Sequence, residues 1–329
     1  MMKAGLVGLG WWGSSLLRMT AGSEALRIVA ATDLDPGREA AATAAGAAFR
    51  RTFEDVVRDP EVEGVILCTP HEFHAEQAIS AAERGKHVFC EKPLCLTLAD
   101  AERVVQACER AGVVLGIGHE RRFEPPIVDL MSRITTGELG TILQIEGNFS
   151  QDKFLSLPRD NWRIRGAGSV GPMTATGIHV LDLSTAILGP VTRVAASVRS
   201  LATSFENGDS LAVMIDFENG GAALISAILA TPFDGRFAAY GSLGWAEIRD
   251  KSHPENSEGW IATYMVRGKP REVKEYPGAP SARLNLEAFA RAAEGVQSYP
   301  IKTDQMLQTT TALEAVFEST RRGEWRRVS

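Results

Sequence analysis

Cysteine is scarce, with 4 in 329 residues. Cys68, Cys90, Cys95 and Cys108 show no C-x-x-C spacing and no paired His/Cys cluster. That pattern supports neither a disulfide framework nor a zinc site, so no metal is expected. A reducing, cytoplasmic setting is the expectation. Long apolar runs are also missing: none approaches the roughly 18 residues of a membrane-spanning helix. The start, Met1-Met2-Lys3, leads directly into a glycine turn without the apolar stretch of a secretory signal. Positive charge is not in excess, since 35 Lys+Arg against 41 Asp+Glu gives −6. A protein that coats nucleic acid needs a basic stripe to displace counterions. Here only Arg121-Arg122 and the tail pairs Arg321-Arg322 and Arg326-Arg327 are dense. Neither a nucleic-acid nor a membrane partner is expected.

What remains is globular. Hydrophobic residues make up 44% and charged residues 23%, and a chain of this length accommodates about two domains. Over 1–120, apolar runs at 4–7, 28–31, 65–68, 88–90 and 113–117 alternate with helical patterns. Leu98, Ala101, Val104, Val105, Cys108 and Ala111 form one stripe at helical spacing. Strand–helix alternation of this kind predicts a doubly wound parallel sheet with helices on both faces. From 121 to 329 the texture becomes α+β. A helix is expected over 126–136. In the strand that follows, Leu143, Ile145, Gly147 and Phe149 alternate with Gln144, Glu146 and Asn148, which predicts a sheet with one wet face. Further strands are expected at 191–201, 209–217 and 222–231, with a tight turn at Asn219-Gly220, then near 236–250 and 260–276. The sheet should be mostly antiparallel. Helices at 284–297 and 303–321 close the chain, and 252–259 reads as a polar loop.

Three local patterns carry chemistry. Gly8-Leu9-Gly10-Trp11-Trp12-Gly13 is a G-x-G-x-x-G between an expected strand and an expected helix. Its glycines permit a tight turn, close approach of a pyrophosphate, and close helix–strand packing. The helix N-terminus presents unpaired N–H groups to the phosphates. Asp33 ends the second apolar run 20 residues after Gly13, where an acid accepts hydrogen bonds from ribose hydroxyls. A carboxylate there repels a 2′-phosphate, so NAD is favoured over NADP, with Arg38 nearby as a competing signal. Trp11 and Trp12 open the helix; one should face the cofactor or the interdomain wall and the other the core. The second pattern, Glu91-Lys92-Pro93, directly follows the run ending at Cys90. Ligands of doubly wound sheets bind beyond the carboxyl ends of the strands, so Lys92 is placed to hydrogen-bond a substrate oxygen. It is equally readable as a surface lysine. The third is the glycine loop from Gly166 to Met173, leading into a helix with Thr174, Thr176, His179 and Asp182.

Together these patterns resemble the Gfo/Idh/MocA family of nicotinamide-dependent oxidoreductases. The resemblance spans essentially the whole chain. It adds Thr69-Pro70 and His74, Arg121-Arg122-Phe123, Trp162-Arg163, Gly177 to His179, and Leu286-Glu287-Ala288-Phe289. It implies a Rossmann domain over 1–120 and a substrate-binding, open-faced α+β domain over 121–329. The sheet of the second often forms the interface of a homodimer or homotetramer. It also implies that Thr69, Pro70 and His74 lie along the cofactor, that Glu91 sits by the nicotinamide ribose, that a cis bond often precedes Pro93, and that Lys92 and His179 are the catalytic pair. One position departs from the pattern: many catalytic members carry an aspartate four residues before this histidine, and here it is Ala175.

The expected reaction is hydride transfer between the cofactor and a secondary alcohol or ketone of a sugar, cyclitol or related hydroxy compound. Arg121, Trp162, Arg163, Thr176 and His179 are the candidate substrate contacts. The two arginines suit a carboxylate or phosphate, or equally a surface or interdomain ion pair. Ala175 keeps a non-catalytic NAD-binding regulator in play. Two enzymatic rivals share the same motifs. One uses transient redox for elimination, hydrolysis or decarboxylation, and the other is an NADPH-dependent reductase.

Overall fold

The computed structural model describes residues 1–166 and 171–328. Residues 167–170 of the expected glycine loop lie outside them. The chain divides into two compact units: 1–120 with 280–310, and 121–279 with 311–329.

In the first unit, β1 (Met2–Val7), β2 (Leu26–Thr32), β3 (Ala48–Arg50), β4 (Gly64–Leu67), β5 (His87–Cys90) and β6 (Leu115–Ile117) alternate with α1 (Trp11–Met19), α2 (Glu39–Ala44), α3 (Phe53–Arg58), α4 (His74–Glu83) and α5 (Leu98–Ala111). The strands form one sheet in the order β3-β2-β1-β4-β5-β6, and every pair is parallel. This is the dinucleotide-fold order, which reverses direction between β1 and β4 and opens a crevice at their carboxyl ends. β3 lacks an apolar run (Ala-Phe-Arg), so it gives no strand signal by hydrophobicity. The stripe on α5 is buried at Ala101, Val104, Val105 and Cys108. Thr97 caps that helix by accepting the Asp100 N–H at 3.2 Å, and Gly112 closes it in the left-handed region.

The second unit starts with α6 (Pro125–Thr135), β7 (Ile142–Ser150) and α7 (Ile178–Leu188). Strands β8 (Val191–Arg199), β9 (Ser210–Phe217), β10 (Ala222–Ile228), β11 (Asp234–Gly241), β12 (Gly244–Asp250), β13 (Trp260–Val266) and β14 (Glu272–Tyr276) follow. With β15 (Arg326–Arg327), the described residues build a sheet ordered β14-β13-β12-β11-β7-β10-β9-β8-β15. Among the described residues of this sheet, only β7 and β10 pair in parallel. Ile145, Gly147 and Phe149 are buried, and Gln144, Glu146 and Asn148 are partly exposed, as alternation requires. Leu143 breaks the rule. The register with β11 slips there, since Tyr240 faces Gln144 while Gly241 faces Ile142. The bulge puts Leu143 on the surface. Val180 of α7 packs where a Gly147 side chain would stand, 2.2 Å from an added Cβ.

The remaining helices are α8 (Ser281–Ala293) and α9 (Thr303–Arg322). α8 packs with the first unit, not in the second domain where its place in the sequence put it. Phe289 meets Phe89 edge to face, with centroids 5.5 Å apart. Asn285 Nδ2 donates to Ile117 O at 2.8 Å, and Ser23 donates to Glu287 at 2.8 Å. These partners lie more than 160 residues away in sequence, out of reach of any local pattern. No helix among the described residues is long and apolar enough to cross a membrane.

Candidate active site

The glycine motif of the first unit is built for close approach. Gly8 has φ +91°, and an added Cβ would lie 2.8 Å from Cys68 O. A Cβ on Gly13 would lie 1.9 Å from Gly8 O. Around Gly10 nothing stands within 4 Å of an added Cβ, which leaves room for a pyrophosphate. Gly10 also begins α1 without a side-chain cap, so the helix N-terminus faces that space with backbone N–H groups. Asp33 closes the turn. Its Oδ2 accepts the Leu9 N–H at 2.5 Å, and its Oδ1 accepts the Asp35 N–H at 2.9 Å. Arg38 lies 3.4 Å from Asp35, in an exposed pair. Trp12 packs against the core of the unit, while Trp11 is exposed. These residues fit a dinucleotide.

The crevice on the far side of β1 is lined by the segments after β4 and β5. Thr69 donates to Gln77 Oε1 at 2.6 Å. The imidazole of His74 is buried between Pro93 O at 2.8 Å and Thr69 O at 2.9 Å. It therefore ties the Thr69-Pro70 turn to the Glu91-Lys92-Pro93 turn, a bracing role beside the cofactor contact implied by the resemblance. Burial lowers its pKa below the ordinary histidine value. The Lys92–Pro93 peptide is cis. Glu91 is buried with its carboxylate folded against Gly118, where an added Cβ would come within 2.4 Å of Oε2. The same oxygen accepts the Lys92 N–H at 3.2 Å. Burial and the neighbouring Glu120 raise the Glu91 pKa to about 7, against the opposing pull of Trp12 and Lys92. The three buried cysteines are inert. Burial raises Cys90 far above its usual value and pushes Cys95 and Cys108 up to about 12, so none of the three is a thiolate nucleophile at neutral pH.

In the second unit, His179 sits in the first turn of α7, 4% exposed, with its ring centroid 5.6 Å from that of Phe149. Met173–Gly177, immediately before it, is a π-helical turn, a deviation that recurs at functional sites. Ala175 packs against a small apolar cluster of Phe154, Ile164, Phe205 and Leu229. Asp182 is gripped by Arg122, with both oxygens at 2.7 Å.

The expected substrate contacts are placed less favourably. Arg121 is 2% exposed. Its Nε donates to Glu124 at 3.1 Å, and its NH2 group donates to both oxygens of Asp250 at 2.9 and 2.8 Å. The expectation of a carboxylate or phosphate ligand at Arg121 gives way to a buried ion pair. Thr176 is equally buried, and its hydroxyl donates back to Pro172 O at 3.2 Å. Arg163 stacks over Trp162, with its guanidinium carbon 4.4 Å from the ring centroid.

One group had no sequence signal. His253, in the 252–259 segment read as a loop, donates from Nε2 to Gln151 Oε1 at 2.8 Å. Its Nδ1 accepts from Lys153 Nζ at 3.0 Å, and Lys153 pairs with Glu255. The His253 ring stands 5.9 Å from Phe149. Lys153 and His253 are 100 residues apart, which hides the pairing from sequence.

Residues 2–119 match the oxidoreductase family with an NAD-binding Rossmann fold. Residues 127–247 match the GFO/IDH/MocA C-terminal domain. The chain belongs to the Gfo/Idh/MocA family. Its relatives include the Bacillus subtilis oxidoreductase YrbE, 28% identical over 81% of this chain and 78% of that protein. The inositol 2-dehydrogenase of Salmonella typhimurium is 38% identical over 44% of this chain and 45% of its own length. A crystal structure from Desulfitobacterium hafniense, described as an NADPH-dependent oxidoreductase, superimposes with TM-score 0.89 at 25% identity, covering 99% of this chain and 97% of that one. This Gfo/Idh/MocA chain is thus an oxidoreductase with an NAD(P)-binding Rossmann unit, and family membership alone does not choose between the two cofactors.

Proposed function

We propose that the chain is an NAD-dependent dehydrogenase that oxidises a secondary alcohol of a cyclitol, sugar or related hydroxy compound. Lys92 and His179 are its catalytic groups. The observation that carries the proposal is Lys92 directly after β5, at the carboxyl end of the parallel sheet, where ligands of doubly wound folds bind. The inositol 2-dehydrogenase among the relatives supports the substrate class.

When bound, the nicotinamide takes up the hydride that leaves the alcohol carbon. His179 accepts the hydroxyl proton as general base, and the Lys92 ammonium donates a hydrogen bond to the same oxygen as charge grows on it. Thr69, Pro70 and Glu91 would hold the cofactor. Asp33 supports NAD over NADP, because its carboxylate is anchored on the Leu9 N–H and would repel a 2′-phosphate. Trp162, Arg163 and Thr176 remain proposed wall residues. The protein works as a homodimer or homotetramer through the open face of the second unit's sheet.

Steady-state assays with a panel of polyols and sugars, run with each cofactor, test this reading. NAD should give the higher kcat/KM. Lys92→Met should lower kcat by about 10²–10⁴-fold with NAD affinity little changed. A Lys92→Met enzyme with near-wild-type turnover refutes the mechanism. Tight NAD binding without turnover on any compound would make the protein a regulator instead.

A further inference from the structure

The second unit carries a polar cluster that neither the fold nor the proposed proton transfer requires. Its members come from three places: Gln151 and Lys153 just after β7, His253 and Glu255 after β12, and Phe233 before β11. Phe149 joins them to His179, standing 5.6 Å from that ring and 5.9 Å from the His253 ring. Phe233 meets the His253 ring at 5.4 Å and the Phe149 ring at 5.9 Å, edge-on in both cases.

The hydrogen bonds fix the tautomer of His253. Lys153 Nζ and the Glu255 N–H can only donate, at 3.0 and 3.3 Å, so Nδ1 is the acceptor. Nε2 then carries the proton and gives it to Gln151 Oε1. Gln151 is held with its amide oxygen toward the ring. Lys153 reaches past the group, with 34% of its side chain exposed, while Glu255 beside it is 12% exposed. The charges here cancel: Lys153 against Glu255. Behind Phe149, Arg121 faces two carboxylates, Glu124 and Asp250. These five ionic groups, two cations and three carboxylates, sum to −1.

A pole that is rich in donors and acceptors, bordered by aromatic edges and without net positive charge suits hydroxyl groups. A ligand carboxylate there would meet Lys153 already neutralised and Glu255 at close range. We propose that Lys153, His253 and Gln151 recognise hydroxyls of the substrate remote from the carbon served by His179, and that Glu255 excludes acids. The substrate is then an uncharged cyclitol or sugar, not a sugar acid. This rests on the reading of His179 above and narrows it.

Isothermal titration of the NADH-bound protein with myo-inositol, glucose, gluconate and glucuronate tests the inference independently of turnover. The wild type should bind the neutral compounds more tightly than the acids. Glu255→Gln removes the repelling charge and should shift the acid-to-neutral affinity ratio by about tenfold toward the acids, about 1.4 kcal/mol. Lys153→Met should weaken the neutral compounds by about tenfold while NADH affinity stays unchanged. Thermal melting of each variant separates unfolding from lost recognition, and Lys153→Arg, which keeps the ion pair, should retain most of the affinity. Acids bound as tightly as neutral polyols by the wild type, no measurable binding of either neutral compound, or a ratio unmoved by Glu255→Gln each overturns the inference. A wild type that binds polyols with the expected ratio yet never reduces NAD instead overturns the proposed dehydrogenase.

Discussion

Glu91 shows how much one residue's meaning depends on where it folds. In sequence it is half of a short motif. In the structure it is a buried acid beside Glu120 that holds its proton up to about pH 7, against 4.5 for an ordinary glutamate. Between those values the folded state binds more protons than the unfolded one, so this group's contribution to stability falls as pH rises through the window. Above it the buried charge costs stability, because burial and Glu120 both oppose ionisation. Glu91→Gln should therefore gain stability on the wild type as pH goes from about 5 to about 8, measured by urea denaturation of the cofactor-free protein. A difference that stays constant across that range would contradict the assignment. The place of Asp33 just after β2 follows from a local pattern, and its partner, the Leu9 N–H, belongs to the same unit of strand, turn and helix. Arg121 was not, because the anion that claims it, Asp250, lies 129 residues away.

Among the elements, the π turn and α7 show what Ala175 means. The substitution of alanine for the aspartate of many family members read as a missing catalytic partner. Its surroundings are Phe154, Ile164, Phe205 and Leu229, brought from four separate segments. A carboxylate inserted at this partly buried position would stand against those apolar side chains. Ala175→Asp should destabilise the protein by about 2–4 kcal/mol in urea denaturation and should not raise kcat. A stable Ala175→Asp enzyme with increased kcat would show that the site accommodates an aspartate there. The helical stripe on α5 and the alternation in β7 were readable because each buries one face at a fixed period. The bulge at Leu143 was not, since only the pairing with β11 creates it.

The whole molecule exposes one face of the sheet in the second unit. Met214 and Leu224 are directly paired across β9 and β10 and each is 41% exposed. Met265, opposite Trp245 on β12 and β13, is 39% exposed. Salt bridges from Arg236 to Glu146 and Glu247 lie between these strands. An apolar face with a charged centre suits a second copy of the same sheet. Sedimentation velocity should show a dimer or tetramer, and Met214→Glu combined with Leu224→Glu should yield a folded monomer. A monomeric wild type, or a double variant that stays assembled, would point to another interface.

The amino-acid order alone determined the two-part architecture, the glycine turn after β1, the acid just after β2 and the lysine after β5. Each is encoded over a few neighbouring residues, by backbone freedom or by hydrophobic period. Tertiary structure alone decided that α8 joins the first sheet, that Arg121 serves the interior, that Ala175 closes an apolar cluster, and that Lys153 meets His253. Those outcomes depend on groups scores of residues apart whose meeting is set by burial and charge pairing, for which a linear pattern carries no mark.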